Sequence, residues 1–552
     1  MKNNSFDFNR PTKARHLKML AGVLVSTISF VIGSITLLTV GQSDALAEKT
    51  FNLALITEPP QLNSTRATDT VSGFILGHLM EGLTRYGKNG EAIPGVATEW
   101  TVNDKSAVFK LRKNAKWSDG STVTAHDFVF GWRLVVDPKT ASEYAFIMYF
   151  LKNAEAISKG SMPPTALGVT AKDDYTLEIT FEKPCGYFVG LTAFATYFPV
   201  QEKFYASRGE KYGADAKDIL TNGPFALTEW THGASLTMDK NKNYWNASAI
   251  HLDRIAIPHI TPDPMARFNF FKNKEIDEFE LDKDTLPLAQ KEGFKMKNHN
   301  DGSVYFMEFN FQEGKPTRSK SLRKAIQLVF NTDEYVKKIV SVPGTKPGTG
   351  LVPGWVRGVK DSFRKEFPFN PPKVDVAAAK KLIEAAKKEL KLAQIPPLVW
   401  LTGDTPLSAR EAEYFQSQFK TKLGIELKID KQIFKQRLAK MTSGEFDIVA
   451  AGWGPDYADP MTYADLKTSW NENNRGRYSN PEVDALIKKA QATSNQKIRM
   501  EAMAAAEKIV LDDVAILPTY ERNNVYVTSD RVDGVIRRVI GADPDLTFVN
   551  IK

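Results

Sequence analysis

Cysteine is almost missing from this chain: of 552 residues only Cys185 carries a thiol. One thiol closes no internal disulfide and leaves no second cysteine for a CxxC metal or redox site. It stands in KPCGYF beside Tyr187 and Phe188, an apolar setting that reads as a buried, inert side chain and not as a nucleophile. Histidine is scarce too. The seven, His16, His78, His126, His232, His251, His259 and His299, show no HExxH or HxxH spacing, so a zinc site has no local scaffold. No GxSxG elbow offers a serine nucleophile, and no Gly-Lys-Ser/Thr cradles a phosphate. In the loop VPGTKPGTGLVPG the third glycine of a dinucleotide fingerprint is replaced by Pro353. Carboxylates are plentiful, but nothing in the sequence sets two of them apart as a hydrolytic pair. Neither a cofactor nor a metal is expected. After Glu48 no long apolar run occurs, and there is no internal repeat or low-complexity tract.

The formal charge is +8, and five basic and two acidic residues fall in 1–47, which leaves +5 for the rest. The basic residues are interleaved with acids along the whole chain, so no basic stripe forms and nucleic acid is not an expected partner.

What is present begins at the start of the chain. Lys13, Arg15 and Lys18 precede an apolar stretch over 19–40, and Ala45-Leu46-Ala47 supplies small residues before Glu48. This pattern predicts a signal peptide over 1–47, cleaved after Ala47, and export to the periplasm. The alternative is a membrane anchor through 19–40, which is long enough to cross a bilayer. No cysteine stands near the cleavage site, which excludes a lipid anchor there.

With 42% hydrophobic residues, the remaining chain can fill a core divided between two or three packing units. Short strands alternate with helices. FNLALI, AVFKLR, YTLEITF and NGPFALTEW read as strands, SLTMDKN as the antiparallel neighbour of the last, and SVYFMEFNF as a central strand. Thr124 is placed to cap AHDFVFGWRLVV, and VSGFILGHLMEGL has apolar residues at helical spacing. VDVAAAKKLIEAAKKELKL puts Val376, Leu382, Ile383 and Leu390 near one face and lysines on the other, a solvated amphipathic helix. PLVWLT, GIELKID and FDIVAA then suggest an α/β lobe whose strand ends face a cleft. Directly after FDIVAA comes GWGPDYADP, two acids and two aromatics in a glycine-bearing turn.

Several segments carry a family resemblance. WSDG at 117–120 with VTAHDFVFGWRLVVDP, TNGPFALTEW, KNYW, FKNKEIDEF, SLRKAIQLVF followed by Asn331-Thr332-Asp333, and GWGPDYADP stand in the order of the extracellular solute-binding proteins of family 5. These are the peptide receptors that feed ABC importers, and the likeness covers about 48–552. It implies a two-lobed α/β periplasmic-binding-protein fold with an additional inserted domain. Lobe one would comprise 48–80, 202–304 and 524–552, lobe two 305–523, and the insertion 81–201. The chain would cross between lobes near 304 and 523, and two crossings make a hinge that closes over the ligand.

The resemblance also implies a site. Asp456 would pair with a peptide's α-ammonium group, as an enclosed ammonium requires a carboxylate. Asp459 reads as a turn residue. Gly452 and Gly454 would leave backbone open to a ligand strand, with Trp453 and Tyr457 as walls. Thr68, Asp69 and Thr70 would form the opposite edge, so that the ligand main chain is held by β-augmentation. Tyr144 and Tyr520 match cleft-lining positions, or else are ordinary core. Three departures concern the other end of the ligand: Ala450 and Met441 stand where arginines are expected, and Phe194 where a histidine is. Arg410 is then a candidate for the ligand carboxylate, and peptides of four or five residues should bind better than dipeptides.

The expected function is an exported, monomeric oligopeptide receptor, not an enzyme, whose partners are its ligand and a membrane ABC importer. One alternative is a relative that takes another ligand, such as a murein peptide, haem, a metal chelate or an oligosaccharide. A second is a secreted hydrolase.

Overall fold

The structure is a computed structural model that describes residues 48–552; the expected signal peptide over 1–47 lies outside the described residues. Among these, no helix is long and apolar enough to cross a membrane.

Two large sheets organise the chain. The first has seven strands in the spatial order Lys297–His299, Asn524–Thr528, Glu278–Leu281, Thr50–Leu55, Arg254–Ile260, Ser235–Lys240, Phe225–Thr231. Thr50–Leu55 runs parallel to both neighbours, while the last two strands form an antiparallel hairpin. Helix Thr70–Leu79 buries Phe74, Ile75, Leu76 and Leu79. It starts where it does because the Asp69 carboxylate accepts the Ser72 N–H at 2.8 Å, satisfying one of the free donors of the first turn.

The second sheet has six strands in the order Lys346–Pro347, Ile516–Glu521, Val304–Phe309, Ile448–Trp453, Leu398–Thr402, Leu427–Lys431. Its antiparallel half is covered on both faces. All six residues of Ile516–Glu521 are buried, and five of six in Val304–Phe309, so alternation of polarity along them is weak. The helices Lys320–Val329 and Val376–Leu390 pack against each other beside it. The second buries Ala379, Ile383 and Ala386, whereas the larger Val376, Leu382 and Leu390 are only half-buried flankers of that core.

Chain passage between the two sheets is short on both occasions. It leaves the first sheet after His299 and enters the second at Val304, then returns between Glu521 and Asn524. The two connectors are tied together: the Arg522 Nε donates to Asp301 Oδ2 at 2.6 Å, and the Asn524 amide reaches the same oxygen at 3.2 Å. Paired connectors of this kind allow the sheets to rotate relative to each other.

A third, antiparallel sheet, Ala97–Val102, Ser106–Leu111, Thr176–Thr180 and Val169–Asp173, packs with helix Ala125–Val136. That helix opens with a capping box, in which Thr124 and Asp127 satisfy each other's backbone donors. The Trp117 indole also donates to Asp127 at 3.4 Å, from a fully buried position.

Candidate functional site

A cavity of about 520 Å³ is lined by residues from both large sheets and by Tyr144 and Phe194 from the segment that carries the third sheet. Its floor includes strand Ile448–Trp453. One edge of this strand pairs with Val304–Phe309 over its whole length. The other meets Leu398–Thr402 only at Ile448 and Val449, so the edge from Ala450 to Trp453 has no strand partner. Ala451, Gly452, Trp453 and Gly454 line the cavity. Gly452 is required from behind, since a Cβ there would lie 2.8 Å from the Tyr305 ring of the neighbouring strand. Gly454 faces across the cleft, where a Cβ would stand 3.7 Å from Thr70 Cγ2.

The turn after this strand carries Asp456, of which only 8% is exposed. Tyr144 donates its hydroxyl to Asp456 Oδ1 at 3.0 Å, and Thr462 Oγ1 lies 3.4 Å from Oδ2. The Asp456 backbone is held as well, its N–H donating to Thr462 Oγ1 at 3.1 Å and its carbonyl accepting from Tyr86 at 3.2 Å. Among the described residues no cation lies within ion-pair distance of its carboxylate. Burial therefore dominates and pushes the carboxyl up to about 7, against the two hydroxyl hydrogen bonds. Asp459 is different. Both its oxygens take the Arg499 fork, at 2.8 and 2.9 Å, and Oδ1 accepts the Met461 N–H of the turn.

The remaining walls are aromatic and polar. Tyr144, Phe194 and Trp453 form one side, with ring centroids 5.4 Å apart for Tyr144 and Phe194 and 6.2 Å for Tyr144 and Trp453. Thr68, Asp69 and Thr70 line the opposite side. They form no strand, because Asp69 is committed to the helix cap, and burial raises its carboxyl.

Three expected site residues lie elsewhere. Tyr457 does not line the cavity and stacks on Tyr187, 4.6 Å apart and nearly parallel. Tyr520 stacks behind Tyr305, at 4.5 Å, within the core of the second sheet. Both rings are buried in near-parallel aromatic stacks, which hold them away from the cavity. Arg410 does not line the cavity, and its guanidinium is bound to Asp284 at 2.7 Å. In contrast Arg437 does line it, and its guanidinium donates to the Ala450 carbonyl at 3.0 Å. Arg437 lies one helical turn before Met441 in Phe434–Ser443, so the two share a helix face. That spacing was the available signal for a cation in the corner where Ala450 and Met441 lack one.

Two lobes joined by a double connector, with a lined cavity between them, define a binding protein that closes around its solute. The chain matches the bacterial extracellular solute-binding proteins, family 5, over residues 91–475, and it belongs to that family. It is 32% identical to the dipeptide-binding protein DppE of Bacillus subtilis over 88% of this chain and 89% of that one. Among solved structures, the peptide-bound OppA of Listeria monocytogenes superposes with a TM-score of 0.86 at 32% identity, covering 92% of this chain and 99% of that one. The murein tripeptide-binding protein MppA of Escherichia coli superposes at 0.84, with 28% identity and 92% and 99% coverage. Its unliganded open form reaches only 0.61, with 29% identity and 92% and 98% coverage. The described conformation is thus the closed one.

Proposed function

We propose that this chain is an exported, monomeric substrate-binding protein that captures oligopeptides between its lobes and delivers them to a membrane ABC importer. Lobe one would take in 48–80, 202–304 and 524–552, lobe two 305–523, and the inserted domain 81–201. The observation that carries this reading is the Asp456 carboxylate, closed off from water without a cation. An ammonium is the group that would satisfy it, since desolvated charges are held only where an opposite charge and hydrogen bonds meet them. Beside it the unpaired edge of Ala451 to Trp453 would supply backbone groups for an extended ligand, which recognise any sequence alike. An α-ammonium followed by a main chain is what every peptide has in common, and DppE and OppA are peptide-binding by name.

The test uses one peptide in two forms. Calorimetry should give tight binding of a free tetrapeptide and a loss of a hundredfold or more when its amine is acetylated. Equal affinity of the two forms would remove Asp456 from the role given to it, and with it the peptide reading. Intact peptides should also be found by mass spectrometry in denatured protein purified from the cell envelope, whereas fragments of an added peptide would point to the hydrolase.

A further inference from the structure

The arginines lining the cavity fall into two groups. Five of them are joined to carboxylates, as Arg475 is to Glu143 at 2.7 Å and Arg537 to Asp543 at 3.1 Å. Arg267 and Arg437 are not. Among the described residues no carboxylate oxygen lies within 4.0 Å of either guanidinium.

Arg267 stands on helix Pro264–Lys272 of the first lobe. Only 7% of it is exposed, its Nε is buried without an acceptor, and its guanidinium carbon lies 5.5 Å from the Phe279 ring centre. Burial lowers its proton affinity, and Glu280, Asp282 and Asp263 oppose this only from beyond ion-pair distance. Arg437 comes from the second lobe. Its Nε is also buried without an acceptor, and its one hydrogen bond goes to Ala450 O, a neutral acceptor. A guanidinium is a fork of donors shaped for two oxygens, and a desolvated one without an anion is costly.

Resting on the peptide reading, we propose that the cleft selects acidic peptides: Arg437 seats the ligand's C-terminal carboxylate and Arg267 an acidic side chain. The assignment follows from position. Arg437 is anchored to the strand whose free edge would carry the ligand main chain, so it meets the end of that chain. Arg267 lines the same cavity from a helix of the first lobe, away from strand Ile448–Trp453, and is assigned the ligand's acidic side chain. The cleft thus offers two guanidiniums without carboxylate partners beside the Asp456 seat, while among the described residues Asp69 and Glu280 also line it without ion-pair partners.

The experiment is a calorimetric scan with tetra-alanine, its C-terminal amide, and variants carrying glutamate or glutamine at each position in turn. In the wild type, amidation should weaken binding about tenfold or more, and at one position glutamate should exceed glutamine by a similar factor. The amidation loss should vanish in Arg437→Gln, and the glutamate preference in Arg267→Gln, each variant keeping the other effect. Absence of any glutamate preference in the wild type overturns the Arg267 seat, a result that needs no variant to fold. An amidation loss that persists in Arg437→Gln overturns the other. If tetra-alanine binds and acetylation abolishes it while neither effect is seen, this inference alone fails. If no peptide binds, the peptide reading fails with it.

Discussion

Replacing Asp456 by asparagine keeps the shape of the side chain and removes its charge, and the structure gives the consequence two opposite signs. The carboxyl is held at about 7 in place of its ordinary 3.8. At about 1.4 kcal/mol per tenfold change, ionising it in the closed cleft without a ligand costs on the order of 4 kcal/mol. A folded-state value raised above the unfolded one means that the folded protein keeps a proton that the unfolded chain has released. Stability from this group is therefore full below about 4 and is lost as pH rises to about 7. At pH 8 the wild type bears the whole cost and Asp456→Asn bears none. Urea denaturation of ligand-free protein should accordingly show the variant to be the more stable at pH 8 by up to that amount, less what opening of the cleft relieves, with the difference closing towards pH 4. Peptide binding runs the other way. Losing the partner of an enclosed ammonium costs roughly 3 to 5 kcal/mol, a hundredfold or more in affinity. Wild-type affinity should also fall about tenfold per pH unit below 7, because a proton must leave before the ammonium enters. A variant less stable than wild type at pH 8, or wild-type affinity that is flat from pH 5 to 8, would refute the reasoning.

Lys467 and Glu308 form a pair at 2.5 Å with both side chains almost wholly buried. Lys467→Met should destabilise the protein by about 3 to 5 kcal/mol in denaturant titrations, and adding Glu308→Leu should restore much of it. Burial pushes the Cys185 thiol far above its usual range, so a thiol reagent should leave the native protein unlabelled and react on unfolding. Mass spectrometry of the exported protein should find Glu48 at its N-terminus, and Met1 in its place would establish the anchored form. Dipeptides should bind more weakly than peptides of four or five residues in the same calorimeter.

The sequence was most legible where motifs serve local folding. Thr124 caps its helix as spacing suggested, and NGPFALTEW pairs with SLTMDKN in the antiparallel hairpin. The family motifs also hold one another in place: Asn243 of NKNYW donates to the Ser118 carbonyl of WSDG, and Asn241 to the Gly223 carbonyl of TNGPF. Such motifs are conspicuous because hydrogen bonds of fixed geometry restrict the residue types. The central strand Val304–Phe309 was readable by its hydrophobicity, though its two-sided burial was not. The site was less legible for a different reason. Tyr457 and Tyr520 look like cleft residues in a linear motif, but an aromatic ring follows whichever neighbour offers a stacking face, and that neighbour is remote in sequence in both cases. Asp69 was read as a ligand edge, while its capping duty to Ser72 went unnoticed. Arg437 and Arg267 escaped because an ionic partner, or the lack of one, is a property of the folded chain.

Asp456 follows the second large sheet and Thr462 holds it within its own turn, but the two phenols that reach it, Tyr144 at the carboxylate and Tyr86 at the carbonyl, come from outside that sheet. The socket is thus a composite that exists only while the jaws are shut. A small rotation at the connectors withdraws both phenols in one stroke and lets water reach the carboxylate, which then behaves as an ordinary surface acid. Grip is consequently a property of shape and not of chemical inventory. Whatever prises the jaws apart needs no competing affinity for the cargo, because the same movement that uncovers the cargo dismantles its anchorage.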